Sequence, residues 1–90
     1  MEVCNLRLEG LKLIKPKVFK DHRGFFLETF QQSSYEKAGI ACPFVQDNHS
    51  FSQKGCIRGM HFQLFPGQAK LIRVGVGKIY DVAVDIRPHS

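Results

Sequence analysis

The segment KIYDVAVDI, residues 78–86, alternates with a period of two. Tyr80, Val82, Val84 and Ile86 fall on one side of an extended chain, and Ile79, Asp81, Ala83 and Asp85 on the other. A helix repeats about every 3.6 residues and would scatter both sets around its axis, so this stretch is committed to a strand. The preceding KLIRVGVG does the same, with Lys70, Ile72, Val74 and Val76 on one face. Two such segments in succession, parted by Gly77, commit this end of the chain to a sheet.

The rest of the sequence fits that class. LKLIKPKVFK carries Pro16 in its middle, which suits an edge strand or a strand pair broken by a turn. DHRG is a turn, opened by Asp21, and FFLETF follows as an aromatic strand. SSYEKAG is the one expected helix, capped by Ser33 or Ser34 and ended by Gly39. FVQDNHS reads as extended, SQKG as a turn, CIRGMHFQ as a strand and Pro66-Gly67 as another turn. Short strands between turn signals predict an all-β fold, an antiparallel sandwich or barrel, and 90 residues allow a single domain over 1–90. About six strands closed into a barrel would leave exposed edges. The chain is therefore expected to pair with another or to be the first part of a longer fold.

Composition narrows the partners. Hydrophobic residues make 43% of the chain and charged residues 23%, a globular balance rather than a disordered one. The formal net charge of +5 favours an anionic partner. The basic residues are spread rather than run together and no aromatic–basic stripe is present, which counts against a nucleic-acid face. Cys4, Cys42 and Cys56 form no CxxC pair, so reduced thiols in a cytoplasmic protein are expected. No apolar stretch is long enough to cross a bilayer as a helix, and no membrane partner is expected.

Chemistry concentrates around CIRGMHFQ. Strict alternation puts Ile57, Gly59, His61 and Gln63 on one face and Cys56, Arg58, Met60 and Phe62 on the other. Lys70 opens the next strand after a short connection, so the two strands can lie side by side with Lys70 near His61. A neutral imidazole beside an ammonium suits enolate chemistry: the base takes a proton next to a carbonyl and the cation stabilises the developing oxyanion. A lone strand histidine is more often a core ring with its hydrogen bonds met. Arg58 and His61 reach one ligand only if the strand is bulged, and Gly59 is where a bulge fits. The histidines show neither HxH nor HxxxH spacing, so no metal is expected. No phosphate-binding glycine loop is present, and no cofactor is expected. In FVQDNHS, Gln46 and Asn48 are either edge-strand polars or amide hydrogen-bonders for a base or sugar.

Taken in order, DHRGFFLETF, FVQDNHS, GCIRGMHFQ, QAKLIRV and GKIYDVAVDIR resemble the dTDP-4-dehydrorhamnose 3,5-epimerases, from about Leu11 to Arg87. The resemblance implies a cupin-like jelly roll without metal, in a homodimer that exchanges N-terminal strands. It implies a reaction that inverts C3 and C5 of a dTDP-4-keto-6-deoxy-glucose through an enolate. It makes His61 the general base and Lys70 the oxyanion-side cation. Arg58, Arg23, Glu28, Gln46 and Asn48 then become binding residues for the nucleotide sugar, with Phe26 stacking on the thymine. Members of that family are roughly twice this long, and their second half supplies a tyrosine acid, an aspartate for the base and a further histidine. None of these has a counterpart in the five motifs. The competing expectation is an inactive half-barrel that binds a nucleotide or only self-associates.

Overall fold

A computed structural model describes residues 1–88. The chain divides into two compact units, one made of Met1–Ala41 with the segment from Ile79 on, the other of Cys42–Lys78.

The first unit holds all the regular structure among the described residues. β1 (Glu2–Asn5) pairs antiparallel with β2 (Lys12–Lys15), in a register that sets Glu2 opposite Lys15 and Val3 opposite Ile14. Opposite charges and apolar pairs across the ladder are what stabilise so short a sheet. The connecting loop is closed by Leu6 N–H donating to the Leu11 carbonyl at 2.9 Å. Lys12 Nζ adds a bond to Asn5 Oδ1 at 2.9 Å. Pro16 has no N–H to offer a ladder and separates β2 from β3 (Val18–Asp21). β3 pairs with β4 (Gly24–Leu27), so the two halves of LKLIKPKVFK join different hairpins. The strand expected over FFLETF stops at Leu27.

α1 (Gln32–Lys37) lies where the sequence predicted a helix, but its cap differs. Gln31 is the N-cap, and its Oε1 accepts the Ser34 N–H at 2.6 Å and the Ser33 hydroxyl at 2.9 Å. Ser33 and Ser34 therefore sit inside the first turn, because the longer glutamine side chain reaches the orphan donors first. The other end closes in a Schellman motif. Gly39 N–H donates to the Glu36 carbonyl at 3.0 Å and Ile40 N–H to the Tyr35 carbonyl at 2.8 Å. Gly39 takes φ +88°, where a Cβ would meet nothing closer than Lys12 Nζ at 3.9 Å. Gly39→Ala is thus expected to cost about 1–2 kcal/mol of helix stability through backbone strain rather than crowding. Faster hydrogen exchange at the Ile40 amide is the readout; unchanged exchange would mean that the motif does not close the helix.

Tyr35 is the buried apolar side chain of the described residues, at 4% exposure. Its ring meets Phe30 edge-on at 4.8 Å, and its hydroxyl donates to the Thr29 carbonyl at 2.8 Å. Burial, and then the Glu28 carboxylate, raise its pKa. Arg87 ties its own stretch into this unit, its Nη2 donating to the Glu9 carbonyl at 3.1 Å.

In the second unit a turn is closed by Cys56 N–H donating to the Gln53 carbonyl at 3.2 Å, as SQKG predicted. The strands expected at FVQDNHS, CIRGMHFQ, KLIRVGVG and KIYDVAVDI are not formed among the described residues. Their alternation survives in the sequence, but a strand exists through its ladder, and no neighbour pairs with these segments. Their apolar faces stay open, with Val76 at 99% and Tyr80 at 94% exposure. The fold class is nonetheless all-β: among the described residues every ladder is antiparallel and a single short helix follows them.

Candidate functional site

The β3–β4 hairpin and the residue after it carry three of the candidate residues, Arg23, Phe26 and Glu28. Phe19 and Phe26 face each other across the ladder, with ring centroids 6.5 Å apart and planes tilted by 47°. Lys17 Nζ lies 5.0 Å from the centre of the Phe19 ring. Phe19, Lys20, Asp21, Arg23, Phe25 and Phe26 line an open groove of roughly 380 Å³. Such a groove offers flat apolar faces beside cations, the pair of features that a planar base and an attached anion need. Glu28 follows β4 directly, and its charge is felt at Tyr35.

Arg23 is held by its own turn. Asp21 Oδ1 accepts the Arg23 backbone N–H at 2.8 Å, while Oδ2 accepts Nε–H at 3.2 Å and Nη2–H at 2.7 Å. The guanidinium keeps the Asp21 carboxyl below the usual carboxylate range, and the backbone bond adds to that. A carboxylate whose pKa is lowered on folding contributes fully above its unfolded value and loses that contribution as pH falls through the lowered one. The clamp is therefore expected to stay closed at neutral pH and to open only in acid below the ordinary Asp range. A carboxyl-carbon NMR titration of Asp21 measures this, and a midpoint at the free-peptide value would mean that no clamp exists in solution.

The second unit carries the remaining candidates. Gln46 Nε2 donates to Asn48 Oδ1 at 3.3 Å, so the two amides are brought together two residues apart on an exposed stretch. Arg58 Nη2 donates to the Phe51 carbonyl at 3.4 Å. Gly59 has φ +127°, a conformation rarely open to other residues. A Cβ at Gly59 would stand 3.9 Å from His61 Nδ1, so the imidazole folds back beside this glycine. No strand forms over CIRGMHFQ, so the bulged strand expected to bring Arg58 and His61 to one ligand is not made. The expected register of Lys70 beside His61 is not made, because no ladder joins the two segments. Among the described residues neither side chain has a protein hydrogen-bond partner, and each is open to solvent.

What sequence reasoning missed is Asp21, read there only as a turn opener. A signal was present. The spacing Asp-x-Arg occurs twice, at Asp21-His22-Arg23 and Asp85-Ile86-Arg87, and builds the same clamp both times. At the second, Asp85 Oδ1 accepts the Arg87 backbone N–H at 3.0 Å and Oδ2 accepts Nη2–H at 2.6 Å. Among the described residues, no three His, Cys, Asp or Glu side chains are grouped to hold a metal, and no helix is long and apolar enough to cross a membrane.

Residues 5–90 match a protein-family model described as dTDP-4-dehydrorhamnose 3,5-epimerase. Proteins of that name from Shigella flexneri and Escherichia coli (strain K12) are 51% and 49% identical over 92 residues, covering all of this chain and 51% and 50% of theirs. One from Methanothermobacter thermautotrophicus is 48% identical over 83 residues, 92% of this chain and 45% of its own. The chain thus spans about half the length of the curated relatives it matches. No solved structure matches it.

Proposed function

This chain belongs to the dTDP-4-dehydrorhamnose 3,5-epimerase family, and from that premise we propose that its residues serve an isomerase that inverts C3 and C5 of a dTDP-4-keto-6-deoxy-glucose. The supporting observation is an identity near one half that extends across the segments holding His61 and Lys70. Both centres flank the C4 ketone, so each proton is acidic only through an enolate whose charge rests on O4. His61 takes the proton from carbon as general base. Lys70 offers its ammonium to O4 as the negative charge develops. Arg23, Phe26, Glu28, Gln46, Asn48 and Arg58 hold the nucleotide sugar: guanidinium groups to phosphate oxygens, amides to polar edges, and the Phe26 ring to the base. Return of a proton from the opposite face requires an acid, which the resemblance assigns to a tyrosine outside these 90 residues.

In this reading residues 1–90 act as one domain of a cytoplasmic homodimer that exchanges N-terminal strands. The test is incubation with the dTDP-4-keto-6-deoxy sugar in deuterated water. Deuterium at C3 and C5, suppressed by added dTDP but not by an oligonucleotide, is the expected result. Binding of dTDP without deuterium uptake would favour the second reading, a nucleotide-binding chain without catalysis. That reading draws on one observation: Tyr35 is the buried apolar side chain of the described residues, so neither candidate catalytic group is embedded in a core.

A further inference from the structure

The two Asp-x-Arg clamps differ in what their arginines do with the donors left over. A guanidinium carries five N–H groups. In both clamps the aspartate takes the edge made by Nε and Nη2. At Arg87 a further Nη2 bond reaches the Glu9 carbonyl, so there the clamp serves to tie two parts of the chain together. At Arg23 the other edge, made by Nη1 and the second Nη2 proton, has no protein acceptor among the described residues. The Arg23 side chain is 80% exposed against 46% for Asp21, and it borders the aromatic groove. An outward Nη1/Nη2 edge is the one that meets two phosphate oxygens at once. We propose that Asp21 is a positioning residue: its carboxylate fixes the rotamer of Arg23 so that this edge is preset for the diphosphate of a nucleotide ligand at the hairpin groove. This deepens the functional reading above and rests on it.

The sign of the effect separates positioning from bare electrostatics. A carboxylate beside an anion site repels the anion, so neutralising Asp21 would by charge alone tighten binding. Positioning predicts the reverse. A long side chain released from its partner samples many rotamers, and ordering it again on binding weakens affinity. Asp21→Asn is the informative variant, because its amide oxygen still accepts the Arg23 backbone N–H and keeps the turn. Its NH2 group faces the guanidinium and cannot accept from it.

The experiment measures the affinity of the folded protein for dTDP and for inorganic pyrophosphate in four forms: wild type, Asp21→Asn, Arg23→Ala and the double variant. Asp21→Asn is expected to weaken both ligands roughly tenfold, the scale seen when the partner that orients a binding group is removed. Added to Arg23→Ala, it is expected to weaken binding no further, because its effect passes through Arg23. Equal or tighter binding by Asp21→Asn, or a loss that adds in full to that of Arg23→Ala, overturns the proposal. Side-chain NMR of Arg23 gives a ligand-free check. Restricted rotation of the guanidinium in wild type, released in Asp21→Asn, is expected, and free rotation in wild type overturns the proposal. Failure of the functional reading looks different: dTDP would bind no better than pyrophosphate, while Asp21→Asn still weakens pyrophosphate.

Discussion

In an intact protein, replacing His61 by alanine is expected to reduce deuterium uptake at C3 and C5 to background, a loss on the order of 10²–10⁴-fold, the contribution of a placed general base. The protons next to the C4 ketone leave only to a base held within hydrogen-bond reach, and an alanine offers none. Affinity for dTDP should stay near the wild-type value, since the imidazole is assigned to the sugar and not to the nucleotide. Loss in kcat and in kcat/KM together, with KM unchanged, is the signature of a group that acts in the transition state. Undiminished exchange would remove His61 from the mechanism. A matching loss of dTDP binding would instead make it a binding residue. Gly59 enters the same prediction. At φ +127°, with the imidazole Nδ1 3.9 Å from where a Cβ would stand, Gly59 is a position where a side chain would be strained, and Gly59→Ala is expected to lower deuterium uptake without abolishing it.

The parts of the fold that were legible in the sequence are those decided within a few residues. DHRG makes its turn because the Asp21 side chain can cap its own backbone two residues on. Gly39 ends the helix because the Schellman geometry needs a residue at positive φ. The helix start differs for an equally local reason: serine is the commoner cap, yet Gln31 stands two positions before Ser33 with a side chain long enough to do the task. Strand pairing was not legible in this way. Val82, Val84 and Ile86 alternate as a strand should, but alternation states a face and not a neighbour, and no neighbour is recorded for them. The meeting of His61 and Lys70 depends on that same missing register. The role of Asp21 was hidden differently, because a turn aspartate is explained well enough by its backbone bond. Only the side-chain bonds to Arg23, repeated at Asp85 and Arg87, reveal the second use of the carboxylate.

Lys70→Ala is expected to lower turnover by roughly 10²–10³-fold, the scale found when one donor to a developing oxyanion is removed. The affinity for dTDP should change little, because an ammonium aimed at O4 gains most of its energy only when the enolate forms. Lys70→Arg, which keeps the charge in another shape, should recover part of the rate. A further consequence follows from the substrate. C3 and C5 lie on either side of C4, so the two enolates share one oxygen and place their charge at one point. In the proposed reaction a single lysine would serve both steps, and its loss should slow deuterium entry at C3 and at C5 by the same factor. His61 need not obey that rule, since the two carbon acids stand at different places around the ring. If Lys70→Ala slows one centre and spares the other, the ammonium is not at O4 and the shared-oxyanion mechanism fails. If it weakens dTDP binding and leaves the rates alone, Lys70 belongs with Arg23 and Arg58 as a ligand for phosphate.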